Sequence, residues 1–313
     1  MSAPRRVVVL GTGGTIVAVD GPAGAVPGVG VGELLGGAGV GDTTDVETVD
    51  VLAIDSSAMT PALQRRVRDA VSAALHDPDV AGVVVTHGTD TLEETAILLD
   101  LTHADPRPVV LTGAQRPASD PRPDGPANLA AAIALARDPA ARARGVLVAV
   151  GGATLPARGL SKAHTTDPVA FAAVVDDPAR PVMPAATDVA TPRVDVVAVH
   201  PGMDVDLIDV VVGRGARGLV VSGYGSGNVH PDLAARLASV VSQGVAVIVT
   251  TRVPAGPVTP TYGGGGGAVD LVAAGILVSP WLRTPQARIV LQEGIARGMT
   301  AEQISPFLDL RRG

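Results

Sequence analysis

The fold is decided by one stretch of the chain, Val83-Val84-Val85-Thr86-His87-Gly88-Thr89-Asp90-Thr91-Leu92-Glu93-Glu94-Thr95. It opens with three β-branched residues in a row, which is typical of a strand buried on both faces of a parallel sheet. Asp90 and Thr91 are residue types that cap the start of a helix, and two glutamates follow where the helix dipole favours negative charge. The stretch therefore predicts a strand, a polar loop and a helix in direct succession.

The same succession recurs along the chain. Short β-branched runs alternate with longer amphipathic runs rich in Ala, Leu and Arg, which is the pattern of parallel strands joined by crossover helices. The predicted strands are residues 7–10, 48–54, 82–86, 109–112 and 146–150, and the predicted helices are residues 61–75, 91–101 and 128–136. We therefore expect an α/β fold with a mostly parallel sheet flanked by helices.

A second, smaller α/β domain is expected towards the C-terminus. After Pro181 the chain is rich in Pro, Ala and Thr and has neither a helical nor a strand period, which predicts a linker. Beyond it the strand–helix alternation returns, with predicted strands at residues 194–199, 218–222 and 245–250. The predicted organisation is a larger N-terminal α/β domain over residues 1–181, a linker over 182–193 and a smaller C-terminal α/β domain over 194–313.

The composition excludes several kinds of chemistry. The 313 residues include no cysteine, so disulfides, thiolate nucleophiles, Cys-zinc sites and iron–sulfur clusters are ruled out. The 31 acidic residues against 24 basic ones give a formal net charge of −7, which disfavours nucleic acid and membrane surfaces as partners. No apolar stretch is long enough to span a membrane, so we expect a cytoplasmic protein that uses oxygens, nitrogens or a cofactor on a small molecule.

Two hydroxyl groups are predicted at the carboxyl edge of the sheet, where open α/β sheets bind their ligands. Thr15 ends the loop Gly11-Thr12-Gly13-Gly14-Thr15. That loop matches neither the dinucleotide fingerprint, which would need a glycine at Ile16, nor a phosphate-binding loop with Gly-Lys-Ser/Thr. Thr89 is the second hydroxyl, whereas His87 beside it is expected to be packed and hydrogen-bonded. A structural turn is the alternative role for Thr15.

Lys162 is the only lysine among the 24 basic residues. An arginine stays protonated up to about pH 12, whereas a lysine in a drier site can lose its proton near neutrality and act as a base. A threonine hydroxyl is a weak nucleophile until a base removes its proton. Thr89, Lys162 and Asp90 contain such a relay. The alternatives are a surface lysine that survived by chance and an Asp90 that only caps its helix.

Further polar groups are expected at the same sheet edge. Ser56 and Ser57 follow the second predicted strand and are short enough to bind a small polar ligand, with a Ser-rich turn as the alternative. Gly113-Ala114 would offer backbone groups after the fourth predicted strand. Because the carboxyl ends of parallel strands meet at one edge, these groups should converge on one small polar site.

Taken together, these motifs resemble those of the bacterial-type L-asparaginases. The matching stretches are spread over nearly the whole chain, at residues 12–16, 55–60, 86–95, 112–117, 124–129, 158–162 and 252–254. The block at residues 86–95 is highly specific, and its combination with the block at residues 12–16 is hard to obtain by accident.

The resemblance implies a reaction and roles for these residues. A member of this family would hydrolyse L-asparagine to L-aspartate and ammonia, with no metal and no organic cofactor. Thr15 would be the nucleophile, and Thr89, Asp90 and Lys162 would form the neighbouring relay. The residues expected to bind the substrate are Ser56, Ser57, Thr89, Asp90 and Ala114. The resemblance also implies a homotetramer, a dimer of dimers, with each site at the contact between the larger domain of one subunit and the smaller domain of its partner.

Two features depart from the family pattern. Many members carry a tyrosine in the loop after the nucleophile, whereas residues 17–32 contain none. Many also carry a glutamate from the partner subunit, whereas residues 257–267 contain no acid. Tyr262 and Tyr224 are the hydroxyls that could take the place of the missing tyrosine. Both segments include glycine-rich stretches, at residues 21–32 and 263–267, which are either surface loops or active-site lids.

These departures leave the substrate open. One methylene changes the discrimination of a pocket by only about 1–3 kcal/mol, so a mixed glutaminase–asparaginase or another small-amide hydrolase is an alternative. A third alternative, from a different class of protein, is an amino-acid-binding sensor that has lost catalysis.

Overall fold

The computed structural model describes residues 6–21, 24–28, 30–37, 45–185 and 190–311. Residues 22, 23 and 29 of the first glycine-rich stretch and residues 186–189 of the expected linker lie outside the described residues. The chain divides into two compact units, Met1–Asp176 and Asp177–Gly313. The finer boundaries expected from the sequence, at 181/182 and 193/194, stay predictions.

The first unit is built on a sheet with helices on both faces. Its strands are β1 (Arg6–Gly13), β2 (Ala18–Gly21), β3 (Gly24–Pro27), β4 (Val46–Ile54), β5 (Val80–Thr86), β6 (Val109–Thr112), β7 (Val146–Val150), β8 (Ala153–Pro156), β9 (Leu160–Lys162) and β10 (Phe171–Ala173). Its helices are α1 (Val31–Gly37), α2 (Pro61–Leu75), α3 (Leu92–Thr102) and α4 (Gly125–Arg137).

The main sheet has the strand order β4-β1-β5-β6-β7-β8 and is parallel except for the last pair. Gly11 of β1 pairs with Thr86 of β5, and Thr86 pairs with Thr112 of β6. The carboxyl ends of three adjacent strands are therefore level, and the loops that follow them start side by side.

The buried runs of the strands face two separate cores. Val8 and Leu10 of β1 pack in the core that α2 and α3 cover, whereas Val7 and Val9 pack in the core that α1 and α4 cover. A strand enclosed on both faces needs apolar residues at every position, because neither face meets water. This explains the continuous valine runs from which the parallel sheet is predicted.

A buried ion pair anchors the chain segment that leads into β9. The Nε atom of Arg158 lies 2.6 Å from Oδ2 of Asp100 on α3, and both side chains are almost fully buried. The other carboxylate oxygen of Asp100 accepts the backbone N–H of Val146 at 2.9 Å. Asp100 thus connects α3 to β7 and to the segment that carries Lys162.

The second unit repeats the architecture on a smaller scale. Its strands are β11 (Val194–Ala198), β12 (Gly218–Gly223), β13 (Ala246–Thr251) and β14 (Leu277–Val278). They form a parallel sheet in the order β11-β12-β13-β14. The helices are α5 (Leu207–Gly213), α6 (Pro231–Ser242), α7 (Ala268–Ala273), α8 (Thr284–Ala296) and α9 (Ala301–Ile304). In the described part of the chain, no helix combines the length and the apolar character needed to cross a bilayer.

The two-domain α/β prediction is confirmed, and most predicted elements of the first unit have bounds within three residues of the observed ones. The predicted helix at residues 128–136 begins earlier, at Gly125, because Pro126 is compatible with the first turn of a helix. The short strands β8, β9 and β10 are not predicted, and the strand–helix alternation expected in the second unit comes without bounds for its helices. A strand of three or four residues is too short to show an alternating pattern.

Candidate active site

Two loops at the carboxyl edge of the sheet approach each other through glycine backbones. A Cβ atom added to Gly14, which has φ +82°, would lie 2.4 Å from the Cα of Gly88, and one added to Gly88 would lie 2.5 Å from Oγ of Ser56. Only glycine permits this approach, because no real side chain tolerates such distances. Thr15 and Thr89 each follow one of these glycines, so both hydroxyl-bearing residues lie next to the same contact.

The side chain of Lys162 contacts both Thr89 and Asp90, the two residues with which the sequence analysis groups it. Its Nζ atom lies 2.9 Å from Oγ1 of Thr89 and 2.8 Å from Oδ1 of Asp90. The side chain of Lys162 is 20% exposed and that of Asp90 is 58% exposed. The amine is thus in hydrogen-bonding contact with a hydroxyl and a carboxylate, and its expected role as a base stays a prediction.

Thr89 has a second partner that the sequence did not reveal. Its hydroxyl donates to Oε1 of Gln115 at 3.0 Å, while it accepts from Lys162. Gln115 belongs to one of the family-like motifs, at residues 112–117, but a side chain in a loop gives no sequence signal of the direction in which it points. Its carboxamide orients the Thr89 hydroxyl, leaving an oxygen lone pair for the lysine.

Ser56 belongs to the same set of contacts, and Ser57 does not. The buried Ser56 accepts the backbone N–H of Asp90 on its Oγ at 3.2 Å, and its carbonyl accepts the Thr91 hydroxyl at 2.9 Å. Ser57 is exposed, and its backbone N–H donates to Asp55 at 2.8 Å. The substrate-binding role predicted for Ser57 therefore stays a prediction without a described contact to the other site residues.

The loop that carries Ala114 is held by two polar side chains at the start of α4. Asp124 accepts the backbone N–H groups of Gln115 and Arg116, at 3.0 and 2.9 Å for the nearer oxygens. Asn128 donates to the carbonyl of Gly113 at 2.9 Å. These bonds fix the backbone on both sides of Ala114, which is itself buried.

His87 is a structural residue, in agreement with the expectation from its sequence context. It is fully buried, and burial lowers its pKa to about 4, so the ring is neutral at physiological pH. Its Nδ1 lies 2.8 Å from the Gly88 carbonyl and its Nε2 lies 3.0 Å from the Thr95 hydroxyl. Because a carbonyl can only accept, we assign the proton to Nδ1, and Nε2 then accepts from Thr95.

Glu93 is a partly buried acid that the sequence suggests only as a residue of the helix start. Burial raises its pKa to about 7, and the neighbouring Glu94 adds to the rise, while the backbone N–H and the charge of Lys162 oppose it. Its Oε2 accepts that N–H at 2.6 Å. Of the residues described, no three histidines or acids are grouped so that they could hold a metal ion.

Comparison with known proteins places this chain in a family. A family model described as "Asparaginase, N-terminal" matches residues 6–194, and one described as "Glutaminase/Asparaginase C-terminal domain" matches residues 193–308. L-asparaginase 2 of Escherichia coli is 32% identical over 248 residues, which cover 73% of this chain and 70% of that protein. A probable L-asparaginase of Deinococcus radiodurans is 32% identical over an alignment of 329 residues, which covers 96% of this chain and 95% of that protein.

A solved structure of a probable L-asparaginase also matches the fold of this chain. The crystal structure of a probable cytoplasmic L-asparaginase from Campylobacter jejuni superposes with a TM-score of 0.83 at 28% identity, covering 97% of this chain and 98% of that one. The fold, the site and these similarities define a two-domain α/β hydrolase. More specifically, the chain belongs to the asparaginase family, and it is an enzyme of that family.

We predict that Gly88→Ala damages the site more than the fold. The added Cβ would overlap Ser56 and approach the Gly14 backbone, so amide hydrolysis should fall by at least about 10²-fold through misplacement of the two threonine loops. The free energy of unfolding should fall by only about 1–3 kcal/mol. Steady-state kinetics and urea unfolding measure the two effects.

The matched control for this variant is Gly213→Ala at the end of α5, where an added Cβ meets nothing within 4 Å. It should keep the wild-type rate. A Gly88→Ala enzyme with the same rate as this control would show that the close backbone approach is not needed for the site.

Proposed function

We propose that this enzyme hydrolyses L-asparagine to L-aspartate and ammonia. The observation that carries the proposal is the position of Lys162, whose Nζ lies within 3 Å of both the Thr89 hydroxyl and the Asp90 carboxylate. A hydroxyl, an amine and an orienting carboxylate in contact are the parts that activate an oxygen nucleophile. The names of the curated relatives support asparagine as the substrate.

In the proposed mechanism, Thr15 is the nucleophile. Its oxygen bonds to the carbon of the side-chain amide, the carbon–nitrogen bond breaks, and the nitrogen leaves as ammonia with the proton taken from the hydroxyl. Water then adds to the resulting ester, which releases aspartate and returns a proton to Thr15. Thr89, Lys162 and Asp90 relay the protons between Thr15, the leaving nitrogen and the attacking water.

The substrate is held by the groups around the relay in this proposal. Ser56 and Asp90, which are already hydrogen-bonded to each other, would bind the α-carboxylate and α-amino groups together with Ser57. The backbone at Ala114 and the hydroxyl of Thr89 would contact the amide. A carboxylate recognises an ammonium group directly, which suits Asp90 to the amino group.

Ammonia release from a panel of amides tests the proposal. We expect turnover of L-asparagine, and we expect kcat/KM for L-glutamine to differ from it by no more than about 200-fold, since the two substrates differ by one methylene. A mixed glutaminase–asparaginase would show comparable values. Binding of aspartate in a calorimeter without ammonia release from any amide would instead favour the sensor.

Two substitutions test the assigned roles. Thr15→Ala and Lys162→Met should each lower kcat by at least about 10³-fold, because each removes a member of a group that acts as a unit. Thr48→Ala and Arg66→Met are matched controls at exposed positions and should keep the wild-type kcat. Circular dichroism checks that all four variants are folded. Normal turnover by Thr15→Ala would remove that residue from the mechanism.

We further propose that the enzyme is a homotetramer, a dimer of dimers, in the cytoplasm. The assembly is carried over from the family resemblance, and the location is supported by the name of the Campylobacter jejuni relative. Light scattering on the purified enzyme should give about four times the chain mass of 31.2 kDa. Cell fractionation checks the location.

A further inference from the structure

Glu93 is an acid beside the candidate site that neither the relay nor the substrate-binding set uses. It lies in the first turn of α3, three residues after Asp90, and its Oε2 accepts the backbone N–H of Lys162 at 2.6 Å. The side chain of the same lysine reaches Thr89 and Asp90. Lys162 is therefore bonded to the start of α3, and to the loop before it, through both its backbone and its side chain.

The backbone bond matters because β9 is short. β9 has three residues and pairs antiparallel with β10, with Lys162 opposite Phe171 at its end. The last residue of such a strand has few ladder bonds to hold it. Glu93 lies on α3, which begins shortly after Asp90. The bond from the Lys162 backbone to Glu93 therefore fixes the distance between that backbone and the Asp90 carboxylate.

We propose that Glu93 is a positioning residue, whose carboxyl group holds the Lys162 backbone so that Nζ stays in contact with Thr89 and Asp90. This inference rests on the proposed function, because it requires Lys162 to act in the relay. Glu93 touches none of the reacting atoms in that mechanism and acts through Lys162. A displacement of about 1 Å is enough to cost an active site about 10²-fold in rate.

The protonation of Glu93 provides a way to observe this contact. Burial raises its pKa to about 7, and the charged groups that act on it are Glu94 on its own helix and Lys162 on β9. Below that pH the acceptor is a neutral acid, and above it the acceptor is a carboxylate. A hydrogen bond to an ionised acceptor is shorter and stronger, so the Lys162 N–H should respond as Glu93 titrates.

The single lysine makes the contact measurable without an activity assay. Growth with 15N-lysine labels one backbone amide in the full chain, that of Lys162. In deuterated protein its amide proton should move downfield as the pH rises through about 7. Glu93→Gln should abolish this inflection, and Glu94→Gln, the matched control, should keep it. A wild-type inflection that survives Glu93→Gln would overturn the proposal.

Kinetics supply the second arm. Glu93→Ala removes the acceptor and should lower kcat by about 10²-fold with KM within about twofold, because no substrate contact is lost. Glu93→Gln keeps an amide oxygen for the Lys162 N–H and should recover most of kcat, and Glu94→Gln should match the wild type. Wild-type kcat in Glu93→Ala, or a Glu93→Gln enzyme no faster than Glu93→Ala, would overturn the proposal.

The two experiments distinguish a failure of this inference from a failure of the proposed function. A wild-type protein that releases no ammonia from any amide contradicts the function, whereas an active wild type with an unimpaired Glu93→Ala variant contradicts only the role of Glu93. If Glu93→Ala does not fold, the Glu93→Gln variant and the amide titration still decide, because Glu93→Gln preserves both shape and acceptor.

Discussion

The close approach of two backbones, at Gly14 after β1 and Gly88 after β5, is the constraint on which the site depends. A parallel sheet covered on both faces brings the two strand ends level, but it does not by itself bring the following loops into contact. The absence of side chains at these two positions does so. It places one threonine on each side of the contact and leaves Ser56 against Gly88, where its oxygen meets the backbone of Asp90.

Around this backbone contact, one lysine amine lies among acidic side chains. Lys162 contacts the half-exposed carboxylate of Asp90 with its side chain and the partly buried carboxyl of Glu93 with its backbone. The two acids differ in environment. The Asp90 side chain is 58% exposed, whereas burial raises the pKa of Glu93 to about 7. The carboxyl group just before α3 and the one in its first turn therefore have different environments.

The framework and part of the candidate site could be predicted from the sequence, for a physical reason. Strands buried on both faces have apolar residues in succession, as in β5 and β7, and the edge at which their loops gather follows from parallel topology. Thr89 and Asp90 follow β5 at that edge, whereas Lys162 lies on β9 of a separate two-stranded sheet and was singled out as the only lysine of the sequence. The contact of Gln115 with Thr89 could not be predicted, because it depends on a side-chain direction that no periodicity encodes. The hydrogen bond from the backbone N–H of Lys162 to Glu93 could not be predicted for a related reason. A glutamate at the start of a helix has the same sequence pattern whether it faces water or a neighbouring strand.

The lysine that pairs with Asp90 is also the one side-chain amine of the whole polypeptide. Reagents that couple through primary amines, such as activated esters, aldehydes and epoxide-bearing supports, would therefore find their side-chain target inside the site instead of scattered over the surface. Arginine, which makes up the rest of the basic residues, does not react with them under mild conditions. For this polypeptide, chemical attachment through side-chain amines necessarily modifies the residue that contacts Thr89 and Asp90.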